Sequence, residues 1–484
     1  MESKVFSYEE VQKHNSEDDL WVVIHGDVYD LTQFAKEHPG GSHVIVKQAG
    51  GDATKAFDVV HPKDIIETHL PKGLKIGRID GSTIPIKNLP IAMSVKRPPL
   101  ASILNLFDFE AVAKAVLSAE AWAYYSSGGD DELTLQENHA AFHRIWLRPR
   151  VLVNVRHIDL HTKMLGQPSA LPFYITATAL GKLGHPDGET CLTRAAGSRN
   201  IIQMIPTLAS CSLADIVGAK TPQQIQFFQL YVNSDRAATK RLVERVEKAG
   251  VKALFVTVDA PALGRREKDM RVKFVDKPPD VLTDSNKVNR SQGAARAISA
   301  FIDPSLSWKD VAWLKSITRL PIVLKGIQTG EDAVLAAKEG VAGIVVSNHG
   351  GRQLDTARSG IEILEEVVDA LQRHKLKGKL EIFVDGGFRR GSDIFKALAM
   401  GAKGVGLGRP FLYAMAGYGV PGVEHAIDLL KEELEMVFRL MGVQSISQIK
   451  RESIITKDLS VHQGTMLHDS LTTSLVDPLL LPKI

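Results

Sequence analysis

The chain has 484 residues, of which 44% are hydrophobic and 24% are charged, and its formal net charge is +3. This composition is typical of a soluble globular protein, and the length predicts more than one ordinary domain. The near-neutral charge argues against a nucleic-acid-binding protein, and two cysteines, Cys191 and Cys211, do not suggest a disulfide framework.

The N-terminal residues bear on the compartment. Residues 1–19 are acidic and contain neither a basic start followed by an apolar run nor an Arg-rich pattern. They therefore predict neither a secretory signal nor a mitochondrial transit peptide. We expect a cytoplasmic address.

The first 80 residues predict a small unit of short strands and short helices. Within it, His38 opens a His-Pro-Gly-Gly motif, and His61 follows 23 residues later. Two neutral imidazoles from opposite walls of an apolar pocket can occupy both axial positions of a haem iron, which suits electron transfer. Residues 3–79 resemble cytochrome b5. The resemblance implies an α+β domain that holds haem b without a covalent bond, with His38 and His61 as the metal ligands.

Residues 81–100 are rich in proline and lack periodicity, which is typical of a hinge. We therefore predict three parts: a haem domain over residues 1–80, a linker over 81–100 and a larger unit over 101–484.

The larger unit alternates compact β-branched runs with helical segments. About eight such units favour a (β/α)8 TIM barrel, an α/β fold, over an open doubly wound sheet. A polar stretch at 274–290 interrupts the rhythm and predicts either a mobile lid or a plain surface insertion. The clearest strand runs are 172–180, 226–232, 253–261, 321–327, 343–351, 381–387 and 404–410.

Two glycine-rich loops follow the last two predicted strands, at residues 385–391 and 404–410. In barrel enzymes the loops at this position commonly bind phosphate through backbone N–H groups and a helix N-terminus. Arg389 and Arg409 could add charge-assisted hydrogen bonds. The two loops together predict a phosphate site.

An acid–base site is predicted from two other strands. One delivers His349, which can accept a proton near neutral pH, and Arg352, which can bind a carboxylate with two hydrogen bonds. The other delivers Asp259, whose carboxylate could stabilise the imidazolium that forms. A structural His–Asp pair in a barrel mouth is the alternative.

The chain from about residue 100 to 448 resembles the FMN-dependent 2-hydroxy-acid oxidases and dehydrogenases. With the haem unit in front, the whole chain is similar to the haem-fused members of this family. The segments that carry the resemblance are the two glycine-rich loops and residues 121–128, 176–180, 229–231, 257–259, 263–267, 325–326 and 347–352.

The resemblance implies a role for each catalytic residue. His349 would be the base and Asp259 its partner, while Arg352 and Tyr124 would bind the substrate carboxylate. Tyr231 would hydrogen-bond the substrate hydroxyl. Arg266 would add positive potential over the site.

The resemblance also implies an FMN site. Lys325 would lie near the flavin N1–O2 edge, where its ammonium favours the reduced flavin. Ala179 would contact the cofactor. It would also face the substrate's side chain together with Leu208, and this combination resembles a lactate-type pocket. The ring would contact Ala177, Thr178, Gln229 and Thr257, and the ribityl phosphate end would contact Ser347, Asp385, Gly387, Arg389, Gly408 and Arg409.

One position departs from the family pattern. Pro206 stands where a serine is expected, and proline supplies neither a side-chain hydroxyl nor a backbone N–H. We expect this change to affect flavin affinity and potential.

Together these features predict oxidation of a 2-hydroxy acid, L-lactate being the expected substrate. Electrons would pass from FMN to the haem and then to a one-electron acceptor such as cytochrome c. The resemblance further implies a homotetramer and, as an alternative address, the mitochondrial intermembrane space. Two other functions stay open: an oxidase that reduces oxygen to peroxide, and a catalytically silent haem electron carrier. The sequence does not decide between hydride transfer and proton abstraction at C2.

Overall fold

The computed structural model of the protein describes residues 4–38, 42–61, 65–66, 70–71, 73–83, 97–272 and 302–462. The stretch predicted as a lid or insertion, 274–290, lies outside the described residues, as does most of the predicted hinge. No helix in the described ranges is long and apolar enough to span a bilayer.

The N-terminal unit is a small α+β domain, as predicted. Its six-stranded sheet has the order β1-β6-β4-β3-β2, with β5 beside β3. The strands are β1 (Val5–Phe6), β2 (Asn15–Ser16), β3 (Asp19–Ile24), β4 (Asp27–Asp30), β5 (Gly51–Asp52) and β6 (Lys75–Ile79). The helices are α1 (Tyr8–Lys13), α2 (Phe34–Glu37), α3 (Ser42–Val46) and α4 (Thr54–Val60), and a 3-10 turn follows at Gly81–Thr83.

The β3–β4 hairpin shows why this sequence forms the sheet. Ile24 pairs with Asp27, so that the loop contains two residues, His25 and Gly26, with φ angles of 52° and 81°. Two positive φ angles define the tight turn whose twist matches that of the strands. Alternation along β3 then places Val22 in the cluster that includes Leu31, and Val23 in the cluster on the opposite face.

The second unit is a closed barrel of eight parallel strands, which confirms the predicted (β/α)8 fold. Its last strand pairs with its first, so the sheet has no free edge. The strands are β10 (Phe173–Ile175), β11 (Gln203–Ile205), β12 (Gln226–Leu230), β13 (Leu254–Thr257), β14 (Ile322–Ile327), β15 (Gly343–Val346), β16 (Glu381–Asp385) and β17 (Gly404–Leu407).

Helices surround the barrel, and two small sheets pair β7 (Trp146–Leu147) with β18 (Ile454–Ile455) and β8 (Thr162–Met164) with β9 (Gln167–Ser169). The helices before the barrel are α5 (Leu106–Val116), α6 (Ala119–Ser126) and α7 (Leu133–Ala140). Those within and after it are α8 (Glu189–Ser198), α9 (Leu213–Gly218), α10 (Arg236–Lys248), α11 (Glu267–Val272), α12 (Asp310–Ser316), α13 (Gly330–Lys338), α14 (Gly360–Arg373), α15 (Gly391–Ala399) and α16 (Arg409–Met441).

Side chains fill the inside of the barrel. Tyr174, Phe227, Phe255 and Phe383 point inward from four strands and form one buried cluster. Their strand neighbours, such as Phe228, point outward into the larger cluster beneath the helices. The barrel is therefore a packed core, and ligands have room only at its ends.

The N-terminal domain contacts the barrel unit near the carboxyl ends of the barrel strands. Helix α4 packs against the 3-10 turn Gly181–Leu183, which follows β10. Val60 on α4 is half-buried against the barrel's hydrophobic core. The helix that precedes His61 therefore lies beside the loop of the first barrel strand.

Candidate active site and haem site

A deep cleft opens at the carboxyl ends of the barrel strands. Its volume is about 1220 Å³, including the space that is open to solvent. Strands β12, β13, β14, β16 and β17 contribute residues to its lining, and β10, β11 and β15 are represented by the loops that follow them. Sixteen predicted site residues line the cleft: Tyr124, Ala177, Thr178, Ala179, Gln229, Tyr231, Thr257, Arg266, Lys325, His349, Arg352, Asp385, Gly387, Arg389, Gly408 and Arg409.

His349 lies at the centre of a three-residue chain of contacts. Its Nδ1 is 3.0 Å from Asp259 Oδ1, and its Nε2 is 3.3 Å from the Tyr231 hydroxyl. If Nδ1–H donates to the carboxylate, Nε2 carries the lone pair that faces the cleft. This arrangement makes Nε2 the atom able to accept a proton.

The electrostatics of the pair favour a neutral imidazole beside a carboxylate. Burial lowers the pKa of His349 below its usual value, although Asp259 opposes this effect. Burial would raise the pKa of Asp259, but His349 and Lys325 outweigh it and keep that pKa low. At neutral pH His349 is therefore uncharged and able to act as a base.

The position of Asp259 depends on a glycine in the next strand. Gly326 has a φ of +115°, and a Cβ atom there would lie 2.5 Å from Asp259 Cβ and 2.6 Å from its Cγ. Only glycine leaves room for the aspartate at this spot.

Two arginines give the cleft mouth a positive charge. Arg352 donates to the carbonyl oxygens of Tyr124 and Ser127 at 2.7 and 3.0 Å, and its Cζ is 5.0 Å from the Tyr124 ring centroid. Arg266 is 6% exposed, and burial together with Arg352 lowers its pKa to about 9. Arg266 therefore stays cationic at neutral pH, and the two guanidinium groups attract a small carboxylate to this end of the cleft.

Lys325 belongs to a buried polar chain. Its Nζ donates to Ser347 Oγ at 3.2 Å and lies 3.4 Å from Asp385 Oδ2, while Ser347 Oγ donates to Asp385 Oδ1 at 2.5 Å. Burial would lower the pKa of Lys325, but Asp385 and Asp259 more than compensate and raise it. A fixed ammonium group is therefore held at the cleft wall.

The cleft fits a flat polar cofactor such as FMN. The hydroxyls of Thr176 and Thr178 are buried and have no protein partner, so they are available to a ligand. A Cβ atom at Gly408 would lie only 3.1 Å from Thr178 Cγ2, so glycine keeps this wall close to the backbone. These donors and acceptors suit the edges of an isoalloxazine ring.

The phosphate end also fits. The loops after β16 and β17 lead directly into the N-termini of α15 and α16, where free N–H groups favour an anion. Arg409 donates three of its five N–H groups to the carbonyls of Tyr125, Gly350 and Ser127, which leaves two for a phosphate. Burial lowers the pKa of Arg409 to about 10, so it remains charged at neutral pH.

Two predicted residues lie behind the cleft wall instead of lining it. Asp259 contacts His349 from below, and Ser347 is fully buried between Lys325 and Asp385. Pro206 and Leu208 both line the cleft, and Thr207 between them donates its N–H to Gln229 Oε1 at 3.1 Å. Pro206 itself offers the cleft neither a side-chain hydroxyl nor a backbone N–H.

Sequence reasoning missed Gln353, which ties two loops of the site together. Its Nε2 donates to the carbonyls of Asp259 and Ala262 at 2.8 Å, and its Oε1 accepts from the N–H of Gly264 at 3.0 Å. A glutamine does not by itself indicate a catalytic or binding role. Only its position directly after Arg352 could have pointed to Gln353. The hydroxyl of Thr176 was overlooked for the same reason.

The two predicted haem ligands face each other in the N-terminal domain. His38 directly follows α2 and His61 directly follows α4, with ring centroids 6.0 Å apart. Two imidazoles on one iron, with metal–nitrogen bonds of about 2.0 Å, have centroids about 6 Å apart. Burial and His38 lower the pKa of His61 to about 4, so its imidazole is neutral and ready to bind metal.

The surroundings of this histidine pair also fit a haem. Phe34 contacts the His38 ring and Phe57 contacts the His61 ring. With them, further half-buried apolar side chains pack on the core of the same domain: Ile45, Val46, Ile66, Leu70 and Leu74. Because protein covers only part of each of these side chains, their remaining apolar surface can contact a porphyrin.

Comparison with known families agrees with the two sites. The family described as FMN-dependent dehydrogenase matches residues 113–456. The family described as cytochrome b5-like haem/steroid binding domain matches residues 7–80.

Known relatives align over most of the chain. L-lactate dehydrogenase (cytochrome) of Saccharomyces cerevisiae is 52% identical over 491 residues, which cover 97% of this chain and 83% of that protein. Glycolate oxidase of Spinacia oleracea is 45% identical over 359 residues, which cover 73% of this chain and 95% of that protein. Among solved structures, a flavocytochrome b2 mutant with pyruvate bound is similar with a TM-score of 0.71 and 51% identity, over 80% of this chain and 95% of that one.

Proposed function

Because the chain belongs to the FMN-dependent dehydrogenases and carries a cytochrome b5-like haem domain, we propose that it oxidises L-lactate to pyruvate and passes the electrons to cytochrome c. The chain is an FMN- and haem-dependent oxidoreductase, as the sequence predicted, and its similarity to flavocytochrome b2 confirms the predicted resemblance. The two alternative functions are an oxidase that reduces oxygen and a catalytically silent haem carrier. The test below distinguishes both from the proposed function.

One observation carries the proposal. His349 presents Nε2 to a cleft that holds Arg266 and Arg352 at its mouth, and the same chain holds two histidines at the spacing of haem ligands. The cleft can bind a carboxylate and take a proton from the group beside it. The histidine pair suits the transfer of single electrons.

The reaction removes two electrons and two protons from the 2-hydroxy acid. We assign carboxylate binding to Arg352, assisted by Arg266 and Tyr124. The Tyr231 hydroxyl would hydrogen-bond the substrate hydroxyl, and His349 Nε2 would take up one proton. Asp259 stabilises the imidazolium that forms, because its carboxylate lies 3.0 Å from Nδ1.

FMN, when bound, would accept the electron pair and the second proton, and the haem would pass electrons on one at a time. Lys325 would hold a positive charge beside the flavin, and His38 and His61 would bind the haem iron. The residues that would hold FMN are Ala177, Thr178, Gln229, Thr257, Ser347, Asp385, Gly387, Arg389, Gly408 and Arg409.

The substrate's size follows from two side chains. Ala179 and Leu208 line the cleft, and we assign them to the substrate's side-chain pocket. The yeast relatives are named for L-lactate and the plant relatives for glycolate. We propose L-lactate because the relatives that align with both domains of this chain are the yeast enzymes.

The acceptor, the compartment and the assembly are parts of the same proposal. A cytochrome c acceptor requires that both proteins share a compartment, which favours the mitochondrial intermembrane space over the cytoplasmic address first expected. A homotetramer is proposed from the family resemblance. Sedimentation velocity of the purified holoenzyme tests it, and a monomer would contradict it.

The test of function is a steady-state assay in air with L-lactate and cytochrome c. We expect cytochrome c reduction with little peroxide, and loss of both in His349→Gln. His38→Ala should keep substrate-dependent flavin reduction but lose cytochrome c reduction. Peroxide as the main product would support an oxidase, and no substrate oxidation at all would support the silent carrier.

A further inference from the structure

A cluster of three potential metal ligands lies outside the cleft, between the 3-10 turn Gly181–Leu183 and α8. It consists of His185, Asp187 and Cys191, whose ligand atoms all lie within 4.8 Å of one another. None of the three takes part in the proposed reaction. The cluster therefore needs its own explanation.

The geometry of the cluster is close to that of a metal site. His185 Nδ1 lies 3.3 Å from Cys191 Sγ. Ligands of a tetrahedral zinc ion with bonds of about 2.0–2.3 Å lie about 3.3–3.8 Å apart. The Asp187 side chain is 51% exposed, whereas Cys191 is fully buried, so an ion could enter from solvent on the aspartate side.

The loop is held in this shape without a metal. The backbone N–H of Asp187 donates to His185 Nδ1 at 3.2 Å, and the thiol of Cys211 donates to the Asp187 carbonyl at 3.3 Å. Arg194 contacts one carboxylate oxygen, Asp187 Oδ2, at 3.2 Å and leaves the other to a ligand. Three donors are therefore already close together before any ion binds.

We propose that His185, Asp187 and Cys191 form a zinc site. Imidazole, thiolate and carboxylate are the three side-chain types that zinc binds, and a water molecule would complete the tetrahedron. Metal binding would displace the Asp187 N–H from Nδ1 and release the thiol proton, so that the ligand is the thiolate.

The proton release follows from the chemistry of a thiol ligand. Zinc binds cysteine as the thiolate, whereas an ordinary thiol carries its proton at neutral pH. Each zinc ion bound at this site should therefore release about one proton.

A second cluster on the molecule provides a matched control. Glu137, Glu362 and His462 also place three ligand atoms within 4.8 Å. It contains no sulfur, His462 already contacts Glu362 at 2.8 Å, and Glu137 is paired with Arg144. Zinc bound there would have only oxygen and nitrogen neighbours.

The test is titration of the full-length holoenzyme with zinc chloride by calorimetry, combined with X-ray absorption at the zinc edge. We expect one site with a sulfur neighbour at about 2.3 Å. Cys191→Ser and His185→Gln should each weaken this site at least tenfold, whereas His462→Gln should leave it unchanged. Calorimetry in two buffers of different ionisation enthalpy should show the released proton.

The proposal is overturned if zinc on the wild-type protein has no sulfur neighbour, or if both variants bind zinc like the wild type. The absorption measurement needs only the wild-type protein. It therefore decides the matter even if a substitution at the buried Cys191 impairs folding.

Discussion

Gly326 lies in close contact with Asp259 in the proposed active site. A Cβ atom at Gly326 would lie 2.5 Å from Asp259 Cβ, which no side chain tolerates without movement. Gly326→Ala should therefore displace Asp259 and lower kcat/KM by about 100-fold or more, since displacements of about 1 Å have effects of this size. Steady-state kinetics measure the loss.

The control for this change is Gly218→Ala. Gly218 ends α9, and nothing lies within 4 Å of a Cβ atom placed there. This variant should keep wild-type kinetics. If Gly326→Ala is as active as Gly218→Ala, Asp259 does not hold His349 in place.

The pH dependence of the reaction depends on His349. Its pKa lies below the ordinary value of 6.5, mainly because it is buried. Since the base must be neutral, kcat/KM should stay high as the pH falls through 6.5 and decline only below it.

Asp259→Asn tests the sign of this coupling. The carboxylate raises the pKa of His349, so its removal should move the acid limb of kcat/KM to still lower pH. The rate itself should fall by about 10²–10⁴-fold, because the imidazolium loses its partner. A limb that moves to higher pH would contradict the assignment of His349 as the base.

The sequence predicted some residues of the site but not others. His349, Arg352 and Asp259 have distinctive chemistry and were named from the sequence. Gln353 was not named, because its three hydrogen bonds to neighbouring loops depend on the folded backbone. The pairing of Asp259 with His349 was predicted, but the close contact of Asp259 with Gly326 was not, since it depends on the folded backbone.

Among the structural elements, the loops after β10 and β11 are joined by one buried carboxylate. Glu189, the first residue of α8, accepts from the N–H groups of Gly181, Ser210 and Cys211 at 2.8–3.0 Å. The first residues of these two loops, among them Thr178 and Leu208, line the cleft.

Glu189→Gln should loosen this connection. In the wild type, three backbone N–H groups share the two carboxylate oxygens. The amide of the variant has only one acceptor oxygen, and its NH₂ group, itself a donor, would face the remaining N–H groups. We expect a loss of about 1–3 kcal/mol in the free energy of unfolding, measured by urea denaturation. Glu244→Gln on the exposed face of α10 is the control and should change nothing. Equal stabilities of the two variants would show that Glu189 is not a structural link.

At the level of strands and helices, most of the fold could be predicted from the sequence. Seven of the eight barrel strands were named from β-branched runs ending in polar residues. The strand β11 was not, because it has only three residues and begins with a glutamine. Gln203 can be buried there because its side chain bonds Thr193 and Gln226, which no sequence pattern indicates.

In the whole molecule, the electrons must cross from the barrel to the haem domain. Val60 of α4 is half-buried against the barrel core, one residue before His61. Val60→Asp would place a charge at this contact and should slow haem reduction at least tenfold without slowing flavin reduction. The exposed Val5 provides the control, Val5→Asp.

An unchanged haem spectrum in Val60→Asp is needed to show that the haem site itself is intact. Equal haem reduction rates in the two variants would mean that this contact is not used for electron transfer. The two-domain organisation was predicted from motifs, but this contact was not, since it depends on the surface of a completed barrel.

The central claim is that one chain removes electrons from L-lactate at FMN and delivers them to its own haem. Anaerobic stopped-flow spectroscopy of the holoenzyme mixed with L-lactate tests it most directly. We predict that the flavin absorbance bleaches first and that the absorbance of reduced haem then grows at a rate independent of protein concentration. Bleaching without haem reduction, or no bleaching with L-lactate, would contradict the account.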